Sequence, residues 1–312
     1  MRCFVAFTAL FFYFFYGDSV QAQQDCDKYY LTIADTRNSD EAFKCYTAQK
    51  QYNRLILMHL NGEGTSKDPA KAASVLQEWL TSEPGESGSL EVEALRRAIA
   101  ERVADPAAKR ERIDFCDDIA GTTPDLNYCA ALKAESAEFI LNSEIESISS
   151  ILAPEQKSLL SKVYSSYLKF REAEGQFTYI EYIDGSIRNI AALSQEAFVR
   201  DNFRTALESI VKKKTLQKRS TNDLKHIDQK LNSSYKKKLK DNADESLGSK
   251  SRTTEYKAAG KKVQLAWIDY RDDWSKFVNT FYSSDASVVT STLYLLTEQR
   301  ISEFAYGPIG GG

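Results

Sequence analysis

Val163, Tyr167, Phe170 and Phe177 follow one another at intervals of four, three and seven residues, and Val263, Trp267, Tyr270, Trp274 and Phe277 at four, three, four and three. This period holds a chain to amphipathic helices, because along a strand the same side chains would be split between two faces. Little in the sequence interrupts it. The 312 residues include only 14 Gly and 6 Pro, and Asp184-Gly185, the one Asp-Gly pair, is flanked by helical patterns instead of alternating strand patterns. The expected fold is all-α, with long helices.

At the N-terminus Arg2 precedes an apolar run from Cys3 to Tyr16, and Val20-Gln21-Ala22 supplies small residues for cleavage. The run is short of the roughly 20 residues that span a bilayer, so residues 1–22 read as a signal peptide cut after Ala22, with an uncleaved anchor as the competing reading. No comparable run follows, so no transmembrane segment is expected and the protein should be exported, periplasmic or secreted, and soluble. Gln23-Gln24-Asp25 before Cys26 lacks the small and aliphatic residues of a lipobox, which speaks against a lipid anchor.

Four cysteines remain after cleavage: Cys26, Cys45, Cys116 and Cys129. An even number in an oxidising compartment favours two disulfides, and of the three possible pairings the local one, Cys26–Cys45 with Cys116–Cys129, closes the shortest loops. A metal site is the competing reading. It lacks support, since there is no Cys-x-x-Cys and His59 and His226 lie far from the cysteines in sequence.

Punctuation divides the remainder. Thr81–Ser89 and Ala120–Asp125 are loops by composition, and the basic stretch Lys212–Asp223 separates two periodic segments. The expected organisation is a helical region over 23–105, helical modules over 106–211 and 212–306, and a flexible tail over 307–312. In the first region Met58–Leu80 reads as a helix end, a Gly-x-Gly turn and a second helix, with Gly62 and Gly64 free to take positive φ, Asp68 as N-cap and Pro69 at the first helical position. Gly62, Gly64, Asp68, Lys71 and Ala72 make this stretch resemble a single Sel1-like repeat, related to the tetratricopeptide unit. His59 stands where that family usually has Tyr. A lone repeat falls short of the roughly three that make a stable solenoid, so a hairpin packed on its own protein stands beside a peptide-binding surface.

The two modules repeat each other. A shift of 100 residues overlays Val163, Tyr167, Phe170, Arg171, Glu172 and Phe177 on Val263, Trp267, Tyr270, Arg271, Asp272 and Phe277. Upstream, Leu141-Asn142 returns as Leu231-Asn232; downstream, Asp201–Glu208 parallels Thr297–Phe304 with Arg204 beside Arg300. Spacings differ by up to ten residues, as expected if loops vary while three helices are kept. Cys116, then Leu126–Ala130 with Cys129, then Leu-Asn, then an aromatic before Phe-Arg-Glu or Tyr-Arg-Asp, and finally the Arg-bearing helix resemble the N-terminal family of LprI-type lysozyme inhibitors. Copy one, near 114–211, matches better. Copy two, near 219–306, keeps Asn232, Trp267, Tyr270, Arg271, Thr297 and Arg300 but has no cysteines. The resemblance implies a small exported helical domain, without enzymatic activity or cofactor, that binds lysozyme or a related cell-wall hydrolase.

For Arg171, Arg271, Arg204 and Arg300 two roles are open: pairing with a carboxylate inside the fold while the stem covers apolar surface, or contact with a partner. No catalytic set stands out, because Gly-x-Ser-x-Gly, the phosphate-binding Gly-x-x-x-x-Gly-Lys and His-Glu-x-x-His are all missing. Glu172 with Glu174 and Asp272 with Asp273 are too close along a helix to face each other across a cleft, so a solvated surface is expected. Charge is unevenly spread: residues 23–211 hold 31 acids against 21 bases, and residues 212–312 hold 12 acids against 19 bases. The acidic half suits a basic lysozyme, and the basic half suits an anionic envelope polymer. Export argues against nucleic acid. A scaffold or envelope-maintenance protein, using the hairpin and the two modules to join other proteins, is the alternative function.

Overall fold

The computed structural model describes residues 26–27, 38–105, 112–211, 216–245, 250–282 and 285–305, side chains of 241–251 excepted. The expected signal peptide (1–22) and tail (307–312) lie outside them. All regular structure among the described residues is helical, and none of these helices is long and apolar enough to cross a membrane. The chain divides into two compact units, after Leu132.

The first unit holds α1 (Ser39–Gln49), α2 (Tyr52–Asn61), α3 (Pro69–Ser82), α4 (Leu90–Ala104), a π-helical turn (Phe115–Ile119) and the start of α5 (Thr123–Ser150). Capping chemistry sets the ends. Gly62 (φ 72°) closes α2 in the left-handed region, and Asp68 opens α3 by accepting from the Lys71 amide at 2.8 Å, with Pro69 in the first turn. The Asp68 amide donates back to the His59 carbonyl at 2.8 Å, which ties the two arms of the hairpin together. Disulfides join Cys26 to Cys45 and Cys116 to Cys129. Between these loops lies a buried polar cluster: Asp27 accepts from Tyr46 at 2.5 Å, from Arg54 at 3.3 Å and from Tyr128, while the Arg54 guanidinium lies 3.7 Å from the Phe115 ring centre. A fully buried arginine is tolerable here because Asp27 supplies the opposite charge and the ring accepts the cation's other face.

In the second unit the rest of α5 is followed by α6 (Pro154–Glu181), α7 (Arg188–Val211), α8 (Thr221–Glu245), α9 (Lys250–Phe281) and α10 (Ala286–Ala305). α6 and α9 pack antiparallel at its centre, Phe177 stacking on Tyr256 at 4.6 Å and Phe170 on Tyr270 at 5.7 Å. Val163, Tyr167, Phe170 and Phe177 are buried, and so are their counterparts Val263, Trp267, Tyr270 and Phe277. The graded burial of residues 141–150 recurs position for position over 231–240.

Two sequence expectations need correction. Glu174, expected in a solvated acidic pair with Glu172, is 3% exposed and pairs with Arg300 at 2.9 Å. Its place on α6, four residues after Phe170, turns it inward while Glu172 faces water. Arg204 and Arg300 are also not equivalent. Burial along α7 and α10 aligns with a shift of 97, which puts Arg300 where α7 has Phe203.

Candidate functional site

Of copy one's repeated residues, Asn142 and Arg171 line a groove of about 410 Å³ formed by α5, α6 and α7. Arg171 follows the core residue Phe170, so its side chain leaves the core at the edge of α6 and reaches the Glu138 carboxylate of α5; Glu196 of α7 lies 3.6 Å from its Nε. One cation thus links three helices. Tyr164, two turns nearer the N-terminus of α6, places its hydroxyl 2.8 Å from Glu138 and 2.6 Å from Asn142. Burial, followed by the hydrogen bond to Glu138, raises the pKa of this phenol, so it remains a donor at neutral pH.

Glu196 has a seat made for it. A Cβ on Gly175 would overlap its carboxylate, so the absence of a side chain there lets the carboxyl lie against α6. Desolvation pushes Glu196 up to about 7, against the opposing pull of Arg171. Glu135 and Phe139 complete the rim, four residues apart on one face of α5; Phe139 is 54% exposed. The groove therefore offers a carboxylate, a neighbouring aromatic face and hydrogen-bond acceptors, a combination suited to a protruding ammonium or guanidinium group.

The other sequence candidates fall elsewhere. Phe170 is core, with the Arg300 guanidinium 5.1 Å from its ring centre, and Glu172 is exposed. Arg204 makes two hydrogen bonds to Glu144, at 2.9 and 2.6 Å, with both side chains partly exposed. In copy two Arg271 pairs with Asp228 at 3.3 Å and lies 4.9 Å from the centre of the buried Trp267 ring, Asp272 is 3.9 Å from Arg271, and Asn232 is exposed. Arg300, 1% exposed, pairs at 2.9 Å with both Glu174 and Glu303; Gln195 donates to Glu174 at 3.1 Å and Asn202 to Glu303 at 2.9 Å. Burial and then Glu174's charge raise the Glu303 carboxyl, with Arg300 opposing. This network fastens α10 to α6 and α7 through the core.

Motif reading missed Glu138, Tyr164, Gly175 and Glu196. For Glu138 a signal existed: Glu138 precedes Leu141 by three residues as Asp228 precedes Leu231, and each meets the arginine of its own copy. Glu196 left no such trace, because α10 has no acid at the matching turn. Among the described residues no cluster of three or more His, Cys, Asp or Glu could hold a metal ion.

These features define an all-helical, disulfide-linked protein with a polar groove on a three-helix face. The chain belongs to the family described as "Lysozyme inhibitor LprI", which matches residues 116–200 and 211–304, more than half of its length. The match does not include the 38–105 helices. No curated protein and no solved structure matches the chain.

Proposed function

We propose that the protein is an exported, non-enzymatic inhibitor that binds lysozyme or a related cell-wall hydrolase through the α5–α7 groove of copy one. Family membership supports the class of partner. The observation that carries the choice of surface is the placing of Glu135 and Phe139 beside the Glu138–Arg171–Glu196 clamp, where a basic side chain from the partner would meet carboxylate and ring together. Acidic surface also steers a basic partner toward the encounter, an effect that salt weakens. The test is protection of cell walls from a basic lysozyme by the chain from Gln23 to Gly312, titrated at about 0.05 and 0.2 M salt, where screening differs appreciably. Dose-dependent protection that declines with salt is expected. Intact walls lysed at the same rate with and without correctly folded protein would overturn the reading.

A scaffold role is the second reading. It is favoured by the helices of 38–105, which lie in the first compact unit and outside the family match. A scaffold would be indifferent to lysozyme, so the same titration separates the two.

A further inference from the structure

Lys225, Lys230, Lys236, Lys237 and Lys240 of α8 are all exposed, and none makes an ion pair among the described residues. The acids of the same stretch are already engaged: Asp223 accepts from the Ser220 amide and hydroxyl, each at 2.8 Å, and Asp228 pairs with Arg271. Lys238, by contrast, is partly buried against Glu181 at 2.8 Å. Five unpaired cations on one helix repel one another, Lys236 and Lys240 directly at the i,i+4 spacing, so the face weakens the helix that carries it.

The fold does not need this charge. Residues 231–240 repeat the burial of 141–150, and the α5 positions matching the five lysines hold Glu135, Ile140, Glu146, Ser147 and Ser150. The same helix in the same register works in copy one without a single basic residue at those places. What differs is what the face can bind.

The lysines extend over about 22 Å of helix axis, at 1.5 Å per residue. The other exposed positions from 221 to 240 are all polar, Asn222, Gln229, Asn232 and Ser233 among them. A helix that lies in a membrane surface needs an apolar face to insert, and the exposed positions here offer none. Spaced ammonium groups, each a strongly hydrated point charge, alternating with amide and hydroxyl groups match a polymer that repeats its charge and its hydroxyls along its length. We propose that the exposed face of α8 binds a linear anionic polysaccharide. The site is independent of the α5–α7 groove, so either can fail without the other.

Calorimetric titration of the chain from Gln23 to Gly312 with polygalacturonate, beside neutral dextran and vesicles containing phosphatidylglycerol, tests this at 0.05 and 0.15 M salt, a range across which exposed charges are increasingly screened. Polygalacturonate should bind, more weakly at the higher salt, while dextran should not. Combining Lys225→Glu, Lys230→Gln, Lys236→Ser, Lys237→Ser and Lys240→Ser should weaken binding about tenfold or more with an unchanged helical spectrum, since several small exposed charge contacts are lost at once. Lys157→Ser with Lys162→Ser on α6 should leave affinity within about twofold, as isolated surface charges contribute little. If the fivefold variant fails to fold, Lys236→Ser with Lys237→Ser takes its place, with a loss of at least about threefold expected. Undiminished affinity in the folded α8 variants, an equal loss in the α6 variant, no binding of polygalacturonate, or tighter association with the vesicles would each overturn the proposal.

Discussion

Removing the guanidinium of Arg300 strands two carboxylates, Glu174 and Glu303, in a site where neither is more than 4% exposed. Breaking a buried pair from one side costs about 3–5 kcal/mol, so Arg300→Ala should lower stability in urea denaturation by that order. Arg204→Ala removes a partly exposed pair and should cost about 1 kcal/mol or less; equal losses would contradict the assigned burial. Glu196 makes a prediction about pH. Folding raises its carboxyl from the ordinary 4.5 to about 7, so the folded chain holds the proton more firmly than the unfolded chain. The stability this contributes is full below about 4.5 and is lost as pH rises through about 7. Glu196→Gln should therefore gain stability over the parent progressively between pH 5 and 8, and thermal melts that stay parallel across that range would refute it. None of this contrast between arginines was legible in the sequence. Arg204 and Arg300 share a short phrase, but a one-residue slip on a helix turns a side chain by about 100°, enough to exchange solvent for core.

At the level of elements, turns decide how closely helices approach. Gly64 (φ 66°) lies where an added Cβ would overlap the Ser39 carbonyl and come within 2.8 Å of Phe43 Cβ, so the α2–α3 turn rests directly on the start of α1. Gly64→Ala combines that clash with an unfavourable φ and should destabilise the protein by about 2 kcal/mol or more, read as a fall in melting temperature. A neutral effect would mean that the turn does not sit against α1. The helices themselves could be read from sequence because their apolar period is long and breakers are few. Asp68, Pro69 and Gly62 announced the hairpin ends for local reasons of backbone chemistry. Glu174 could not be read that way: a buried acid on an amphipathic helix looks like a surface acid until the helix bringing its arginine, 126 residues later, is in place.

Across the whole molecule, the formal charge of −3 conceals two opposed surfaces built on repeated elements. α5 presents Glu135, Glu138, Glu144 and Glu146 where α8 presents Lys225, Asp228, Ser234 and Lys236. One scaffold thus carries a groove lined by three glutamates and two arginines in copy one and a basic face in copy two. Composition alone disclosed the charge asymmetry, but the groove needed the fold, because its members come from three helices spread over residues 134–200. The most direct test of the docking account is to exchange copies at the groove. Glu135→Lys with Phe139→Gln writes the copy-two residues of α8 into α5, at two solvent-facing rim positions. Measured against a basic lysozyme at about 0.05 M salt, where surface charges act over more than 10 Å, the double variant should keep the parent's melting temperature and lose at least about tenfold in affinity. Parental affinity in the variant would contradict docking at this groove.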